Sequence, residues 1–118
     1  MKSGYQELIA WQRAMDLAKA VYAATRDFPR EEMYGLTSQL RRCAVSIPSN
    51  IAEGHGRGAK KAFHQFLAIA RGSLFELETQ LLLAAELDLL SAPKAKELQT
   101  QIAETARVLN GLFKSMEN

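Results

Sequence analysis

The residues best suited to chemistry in this chain are one cysteine, Cys43, and two histidines, His55 and His64. Metal sites draw on clusters of these residue types, and the di-iron sites of helix bundles place a carboxylate three residues before a histidine. Ala52 and Lys61 occupy those two positions here. The spacing therefore predicts no metal site.

A serine nucleophile is the second chemistry that the residue types allow. Ser46 and Ser49 precede Glu53 and a histidine, but serines near a helix interruption usually bond to the helix backbone. We therefore predict a protein that is not an enzyme and that uses no cofactor and no small-molecule substrate. The alternative is an enzyme, which would need a ligand or a metal ion bound near Asn50, Glu53 and Glu76.

Positive charge is concentrated in one part of the sequence, although the formal net charge is only +2. From Arg41 to Arg71, six Lys and Arg residues accompany a single acid, Glu53. At 100° per residue, one outward helical stripe is predicted to carry Arg57, Lys61, His64 and Arg71. Clustered cations bind nucleic-acid phosphates through counterion release. The competing interpretation is an ordinary solvated helix face. The predicted nucleic-acid-binding residues are Arg41, Arg57, Lys60, Lys61, His64 and Arg71.

An apolar line continues the basic stripe further along the same predicted helix. Phe75 and Leu82 lie where a monomeric bundle would carry polar residues, and Ile69 and Leu83 widen the apolar surface. Because such a surface is normally covered, we predict that Phe75 and Leu82 form a homo-oligomer interface.

Polar residues form two further stripes close to the predicted core. A contact between Arg42 and Glu76 would be a partly buried ion pair between two helices, and such pairs fix helix register. We predict a structural polar network, with a binding pocket at the helix interruption as the alternative. Its members are Arg42, Ser46, Asn50, Glu53, Ser73 and Glu76.

Helical periodicity extends over nearly the whole chain, and no segment has the period of two that is typical of strands. The first helix is predicted from about Glu7 to Arg26. Its inner face is predicted to carry Leu8, Trp11, Met15, Ala18, Tyr22 and Thr25.

The second helix is predicted within the stretch from Gly35 to Gly56. The apolar spacing continues through Pro48, and the missing N–H of this proline predicts a kink. Glycines at positions 54, 56 and 58 are predicted to end the helix in left-handed conformations.

Two more helices are predicted in the second half of the chain. The third carries a long apolar face and extends to about Leu87. The fourth begins where Ser91 is placed to cap it and Pro93 suits a first turn, and it continues to the end of the chain.

Four amphipathic helices with short connections predict an all-α, antiparallel up-and-down four-helix bundle, formed by residues 1–118 as one domain. A lone cysteine cannot form an intramolecular disulfide, and the N-terminus has no apolar signal segment. We therefore predict a cytoplasmic protein. The apolar runs are shorter than a membrane span, so no membrane contact is predicted.

Two segments carry a resemblance to a known family: LTSQLRRCAVSIPSNIAEGHGRG, from Leu36 to Gly58, and FHQFLAIARGSLFELETQL, from Phe63 to Leu81. They resemble the four-helix bundle proteins encoded in intervening sequences of bacterial 23S ribosomal RNA genes. The likeness covers nearly the whole chain. Cys43 stands where the family pattern leads us to expect alanine, which is a change between small residues.

The resemblance implies an up-and-down bundle that assembles into a ring-like homopentamer. It also implies nucleic-acid binding, because related accessory proteins of retroelements bind nucleic acid through a basic surface. We therefore predict a non-enzymatic homo-oligomer that binds the backbone of RNA or DNA, with ribosomal RNA as the expected partner. The alternative is a protein-interaction scaffold, which would bind acidic proteins rather than RNA.

Overall fold

The computed structural model describes residues 4–117 and contains four long α-helices. Short 3-10 helices lie at Gly4–Glu7 and Arg30–Glu32. No strand occurs among residues 4–117, so the predicted all-α class is confirmed. The predicted domain also includes residues 1–3 and 118, which lie outside the described part. The helices are α1, Ile9–Thr25; α2, Leu36–Gly56; α3, Lys60–Glu86; and α4, Ala92–Ser115.

Each long helix packs against two of the other three. α1 packs against α2 and α4, and α3 packs against the same two helices. Within residues 4–117, neither α1 with α3 nor α2 with α4 forms a packed pair. The predicted four-helix bundle is confirmed, and its α1–α2 side lies opposite its α3–α4 side. The antiparallel direction of neighbouring helices stays a prediction from the short connections.

The buried face of α1 differs from the predicted one. Trp11 and Met15 are only half-buried, and Tyr22 is 42% exposed. Ala18 and Thr25 are buried as predicted, but Leu17 and Val21, with two alanines, take the other core positions of α1. The buried residues of α1 are Ala10, Ala14, Leu17, Ala18, Val21 and Thr25.

The other three helices bury the faces that their apolar spacing predicts. Leu40, Ile47 and Ile51 of α2 are fully buried. Ser91 caps α4 as predicted, since its hydroxyl accepts a hydrogen bond of 3.3 Å from the N–H of Lys94. The predicted apolar face of α3 is buried, and its buried residues are Phe63, Leu67, Ala70, Leu74, Leu77, Leu81 and Ala84.

α2 continues through Pro48 without interruption. The hydroxyl of Ser46 donates to the carbonyl of Cys43 over 2.6 Å, and the amide of Asn50 donates to the carbonyl of Ser46 over 2.7 Å. These side chains therefore supply hydrogen bonds to the backbone around a residue that has no N–H of its own. The kink at Pro48 stays a prediction.

Only one of the three glycines predicted to end α2 is left-handed. Gly58, in the connection to α3, has a φ of +82°. Gly54 and Gly56 belong to the helix and are not left-handed, although α2 does end at Gly56, within the predicted stretch. Gly54 is buried, and a Cβ atom there would lie 2.5 Å from the Cβ of Phe66. Gly54 therefore marks a close approach of α2 and α3.

Candidate nucleic-acid interface

Three of the predicted nucleic-acid-binding residues cluster at the turn between α2 and α3. Arg57 follows the last residue of α2, and Lys60 and Lys61 begin α3. All three are exposed. α3 is 27 residues long, or about 40 Å, and the longest dimension of the molecule is 43 Å. The cluster therefore lies at one end of the bundle, and we call Arg57, Lys60 and Lys61 the basic end.

The start of α3 adds positive potential to the basic end. The N–H of Phe63 bonds to the carbonyl of Ala59, so the N–H groups of the preceding helical residues have no acceptor within the helix. These groups carry the partial positive charge of a helix N-terminus. The N-terminus of α3 and the two lysines are therefore all positive, and each of them attracts an anion.

An open depression adjoins the two lysines, with a volume of about 630 Å³. Lysines form its α3 side, and an acid, Glu117, lies on its α4 side. An anion would therefore approach from the α3 side. The lining residues are Lys60, Lys61, His64, Gln65, Met116 and Glu117.

Arg57 is oriented by two contacts within the same region. Its Nη2 atom donates to Oε2 of Glu53 over 3.0 Å, and its guanidinium carbon lies 5.1 Å from the ring centre of Phe66. The side chains of the ion pair are 57% and 54% exposed. Water screens a pair of this kind, and it stabilises the fold little. Arg57 therefore stays accessible to a phosphate.

Arg71 lies apart from the basic end, whereas His64 lines the depression beside its two lysines. The stripe predicted to join them with Arg57 is wrong, because α3 begins at Lys60 and Arg57 lies before it. The ring of His64 stacks on Phe113 of α4 at 4.1 Å between centres, and the guanidinium carbon of Arg71 lies 4.2 Å from the same ring centre. Because both groups lie so close to one ring centre, the imidazole and the guanidinium must occupy opposite faces of the Phe113 ring. His64 and Arg71 thus hold α3 against α4.

Arg41 also lies apart from the basic end. Its Nε atom donates to the hydroxyl of Thr25 over 2.9 Å, and its guanidinium carbon is 4.7 Å from the ring centre of Tyr22. Its distance from Arg57 along α2 is about 24 Å at 1.5 Å per residue. Arg41 therefore connects α1 with α2.

The predicted polar network is only partly assembled. Ser73 is linked to α2 by a residue outside the predicted network, since the thiol of Cys43 donates to its carbonyl over 3.0 Å. Arg42 and Glu76 are both exposed and form no ion pair, so that predicted contact is wrong. They line an open cleft of about 550 Å³ between α2 and α3. The ion pairs among residues 4–117 are Arg13–Glu104, Arg57–Glu53 and Lys94–Glu97.

Cys43 lies at the inner wall of this cleft and is 7% exposed. Burial, with the nearby Glu76 carboxylate, raises the pKa of its thiol to about 12, from 9.0. We expect iodoacetamide at pH 8 to alkylate the folded protein about a thousandfold more slowly than the urea-unfolded chain, since the thiolate is the nucleophile. Mass spectrometry of timed samples measures both rates. Equal rates would contradict the buried position of Cys43.

The same pKa shift makes stability depend on pH. Because folding favours the protonated thiol, its contribution is fully present below pH 9.0 and is lost as the pH rises toward 12. A Cys43→Ala variant, which lacks the thiol, is the matched control for that alkaline loss.

The predicted oligomer interface is exposed in the single chain. Phe75 is 52% exposed and Leu82 is 43% exposed. Ile69 and Leu83, which were predicted to widen this surface, are 51% and 48% exposed. Self-association through these residues stays a prediction.

Sequence reasoning missed a second apolar surface, which lies between α1 and α2. It is an open groove of about 590 Å³. The sequence did contain a signal for this groove, because the large residues of α1 recur at helical spacing. The sequence analysis assigned those residues to the core instead. The main side chains of this α1–α2 groove are Tyr5, Trp11, Met15, Tyr22, Val45 and Pro48.

Metal-ligating residues are dispersed in the described part of the chain. Residues 4–117 contain no group of three or more His, Cys, Asp or Glu side chains that could hold a metal ion. None of the helices within these residues has the length and apolarity needed to cross a membrane.

Comparisons with known proteins identify similar sequences and folds. The model of the 23S rRNA-intervening sequence protein family matches residues 6–111. A crystal structure of a protein of unknown function from the S23 ribosomal protein family of Bacteroides thetaiotaomicron superposes with a TM-score of 0.80. It is 18% identical, and the alignment covers 90% of this chain and 99% of that one. Curated protein sequences provide no match.

Proposed function

The chain belongs to the family of 23S rRNA-intervening sequence proteins, and we propose that it is a non-enzymatic homo-oligomer that binds RNA through the basic end. The observation that carries this proposal is the grouping of three exposed cations, Arg57, Lys60 and Lys61, at the start of a long helix. Ribosomal RNA is the proposed partner, and the cytoplasm is the proposed location.

Phosphate contact is the chemistry that this grouping favours. Each phosphate that a lysine or arginine neutralises releases condensed counterions, which drives binding at low salt. The basic end has no exposed aromatic side chain on which bases could stack, since Phe66 lies beneath Arg57. Recognition is therefore proposed to depend on the backbone and shape of the RNA rather than on its bases.

Self-association would strengthen this binding by repeating the basic end. Phe75 and Leu82 are exposed apolar residues that support a homo-oligomer, and the proposed form is the homopentamer implied by the family resemblance. Several weak phosphate-binding surfaces on one particle bind a long RNA with higher avidity than one surface does.

A salt titration tests the proposal. We expect filter binding to a structured RNA hairpin to weaken steadily between 50 and 300 mM KCl, with a linear dependence of log K on log salt. The control ligand is polyglutamate, an anionic polypeptide without phosphates, and we expect it to bind much more weakly than the RNA hairpin. Equal affinity for both ligands would favour the protein-interaction scaffold, and no RNA binding at 50 mM would overturn the proposal.

A further inference from the structure

The α1–α2 groove combines aromatic rings with positive charge, whereas the basic end carries charge alone. Tyr5, Trp11 and Tyr22 line the groove, and Trp11 is the only tryptophan of the chain. The charged residues that line it are Lys19 and Arg26, both exposed, and no acid among residues 4–117 lines it. A ligand that matches this groove therefore carries negative charge together with flat or apolar groups.

The acids closest to the groove along the two helices are directed elsewhere. Glu53 lies one turn beyond Ser49 of the groove, but its carboxylate accepts a hydrogen bond of 3.0 Å from Arg57. Asp16 lies one turn before Lys19, but it lines a separate depression between α1 and α4. Within residues 4–117, neither Lys19 nor Arg26 forms an ion pair. Both cations are therefore available to an anionic ligand.

The rings of the groove are accessible to a flat ligand. Tyr22 is 42% exposed, although the guanidinium carbon of Arg41 lies 4.7 Å from its ring centre. Tyr5 meets Trp11 at 69° with 5.4 Å between ring centres, so these two rings do not cover each other as a parallel stacked pair would. Nucleobases stack on exposed aromatic rings, and cations beside the rings hold the phosphates of the same strand.

The groove also leads away from the basic end along the bundle. A Cβ atom on Gly4 would lie 3.4 Å from the ring of His55, so the residues before α1 lie beside the end of α2. Ala52 lines the groove, and Arg57 of the basic end follows it by five residues, or about 7.5 Å at 1.5 Å per residue. A strand whose phosphates contact the basic end can therefore continue into the groove.

We infer that the α1–α2 groove binds an unpaired segment of RNA next to the structured RNA at the basic end. Its bases stack on Trp11 and Tyr22, and its phosphates lie near Lys19 and Arg26. The inference rests on the RNA binding in the proposed function and adds a second surface and the form of RNA that it takes. Stacking accepts every base, so it adds no sequence readout. An acidic peptide would also match the two cations, but continuity with the basic end favours a nucleic acid.

RNA duplexes that differ only in a single-stranded tail test the inference. One duplex is blunt, one carries an unpaired tail of about eight nucleotides, and one carries an abasic tail of the same length, which has the phosphates without the bases. We expect the tail with bases to raise affinity about tenfold over the abasic tail. It should also quench the fluorescence of Trp11, which the blunt duplex and the abasic tail leave nearly unchanged.

Variants of the groove identify the groups that hold the tail. Tyr22→Leu and the double variant Lys19→Gln, Arg26→Gln are each expected to lose most of the affinity gained from the tail, while the affinity for the blunt duplex stays at the wild-type value. Tyr22→Phe keeps the ring and should keep the gain. Tyr34→Leu is the matched control, because Tyr34 is 98% exposed and lies outside the groove. All of these positions are exposed, so the bundle should fold, which circular dichroism checks.

The outcomes separate this inference from the proposed function. An RNA tail that adds no more affinity than an abasic tail would overturn the inference, while binding of the blunt duplex would still support the basic end. Polyglutamate that quenches Trp11 as strongly as the tail does would also overturn it, in favour of an acidic protein partner. A wild type that binds the tail in the groove but does not bind the blunt duplex would overturn the basic end instead.

Discussion

Replacing Arg57, Lys60 and Lys61 together by glutamine is expected to weaken RNA binding about tenfold to a hundredfold at 0.1 M salt. Each lost phosphate contact removes about 0.7 to 0.9 from the slope of log K against log salt, so three contacts remove about 2 to 3 from it. Filter-binding titrations at several salt concentrations measure both quantities. The fold should persist, because all three side chains are exposed and the Arg57–Glu53 pair stabilises it little.

A second triple variant separates this local effect from a change in net charge. Lys94, Lys96 and Arg107 are exposed residues of α4 that are not part of the basic end. Their replacement by glutamine removes the same charge and is expected to leave the slope nearly unchanged. If both triple variants lose affinity equally, the basic end is not the RNA-binding surface. If neither loses any, the proposed mode of binding fails.

Gly54→Ala is expected to lower the melting temperature by about 8 °C. The added Cβ would lie 2.5 Å from the Cβ of Phe66 and 3.2 Å from the ring of Phe63. Since the nearest atom is attached directly to the backbone of α3, the two helices have to move apart. Overpacking costs about 3 kcal/mol, and the higher helix propensity of alanine offsets about 1 kcal/mol of this cost. The net loss of about 2 kcal/mol corresponds to the shift in melting temperature.

Gly111→Ala is the control for helix propensity. Gly111 lies in α4, and a Cβ there meets no atom within 4 Å. We expect this variant to melt slightly above the wild type, because alanine is favoured in a helix by about 1 kcal/mol. Circular dichroism at equal protein concentration measures both variants. A Gly54→Ala protein that melts at or above the wild-type temperature would show that α2 and α3 are not in close contact at this position.

Local patterns in the sequence determined which segments are helical. Apolar spacing located all four helices. For α2, α3 and α4 it also identified the buried face, because that face carries the residues that dominate such a pattern. Ser91 marked the start of α4, since a helix cap depends on residues close in sequence. The exposed cations Arg57, Lys60 and Lys61 were also identified from the sequence, as charged residues around a turn stay in water.

Tertiary structure decided which face of α1 is buried, and which cations pack against other side chains instead of remaining exposed. The periodicity of α1 pointed to Trp11 and Tyr22, but the structure buries Ala14 and Leu17 instead, because the face of α1 that is buried depends on where α2 and α4 pack against it. Helical spacing also predicted that Arg71 faces outward, but its guanidinium packs on the ring of Phe113. That aromatic ring comes from a helix distant in sequence, and its position depends on how α3 and α4 pack. Periodicity within one helix therefore could not reveal it.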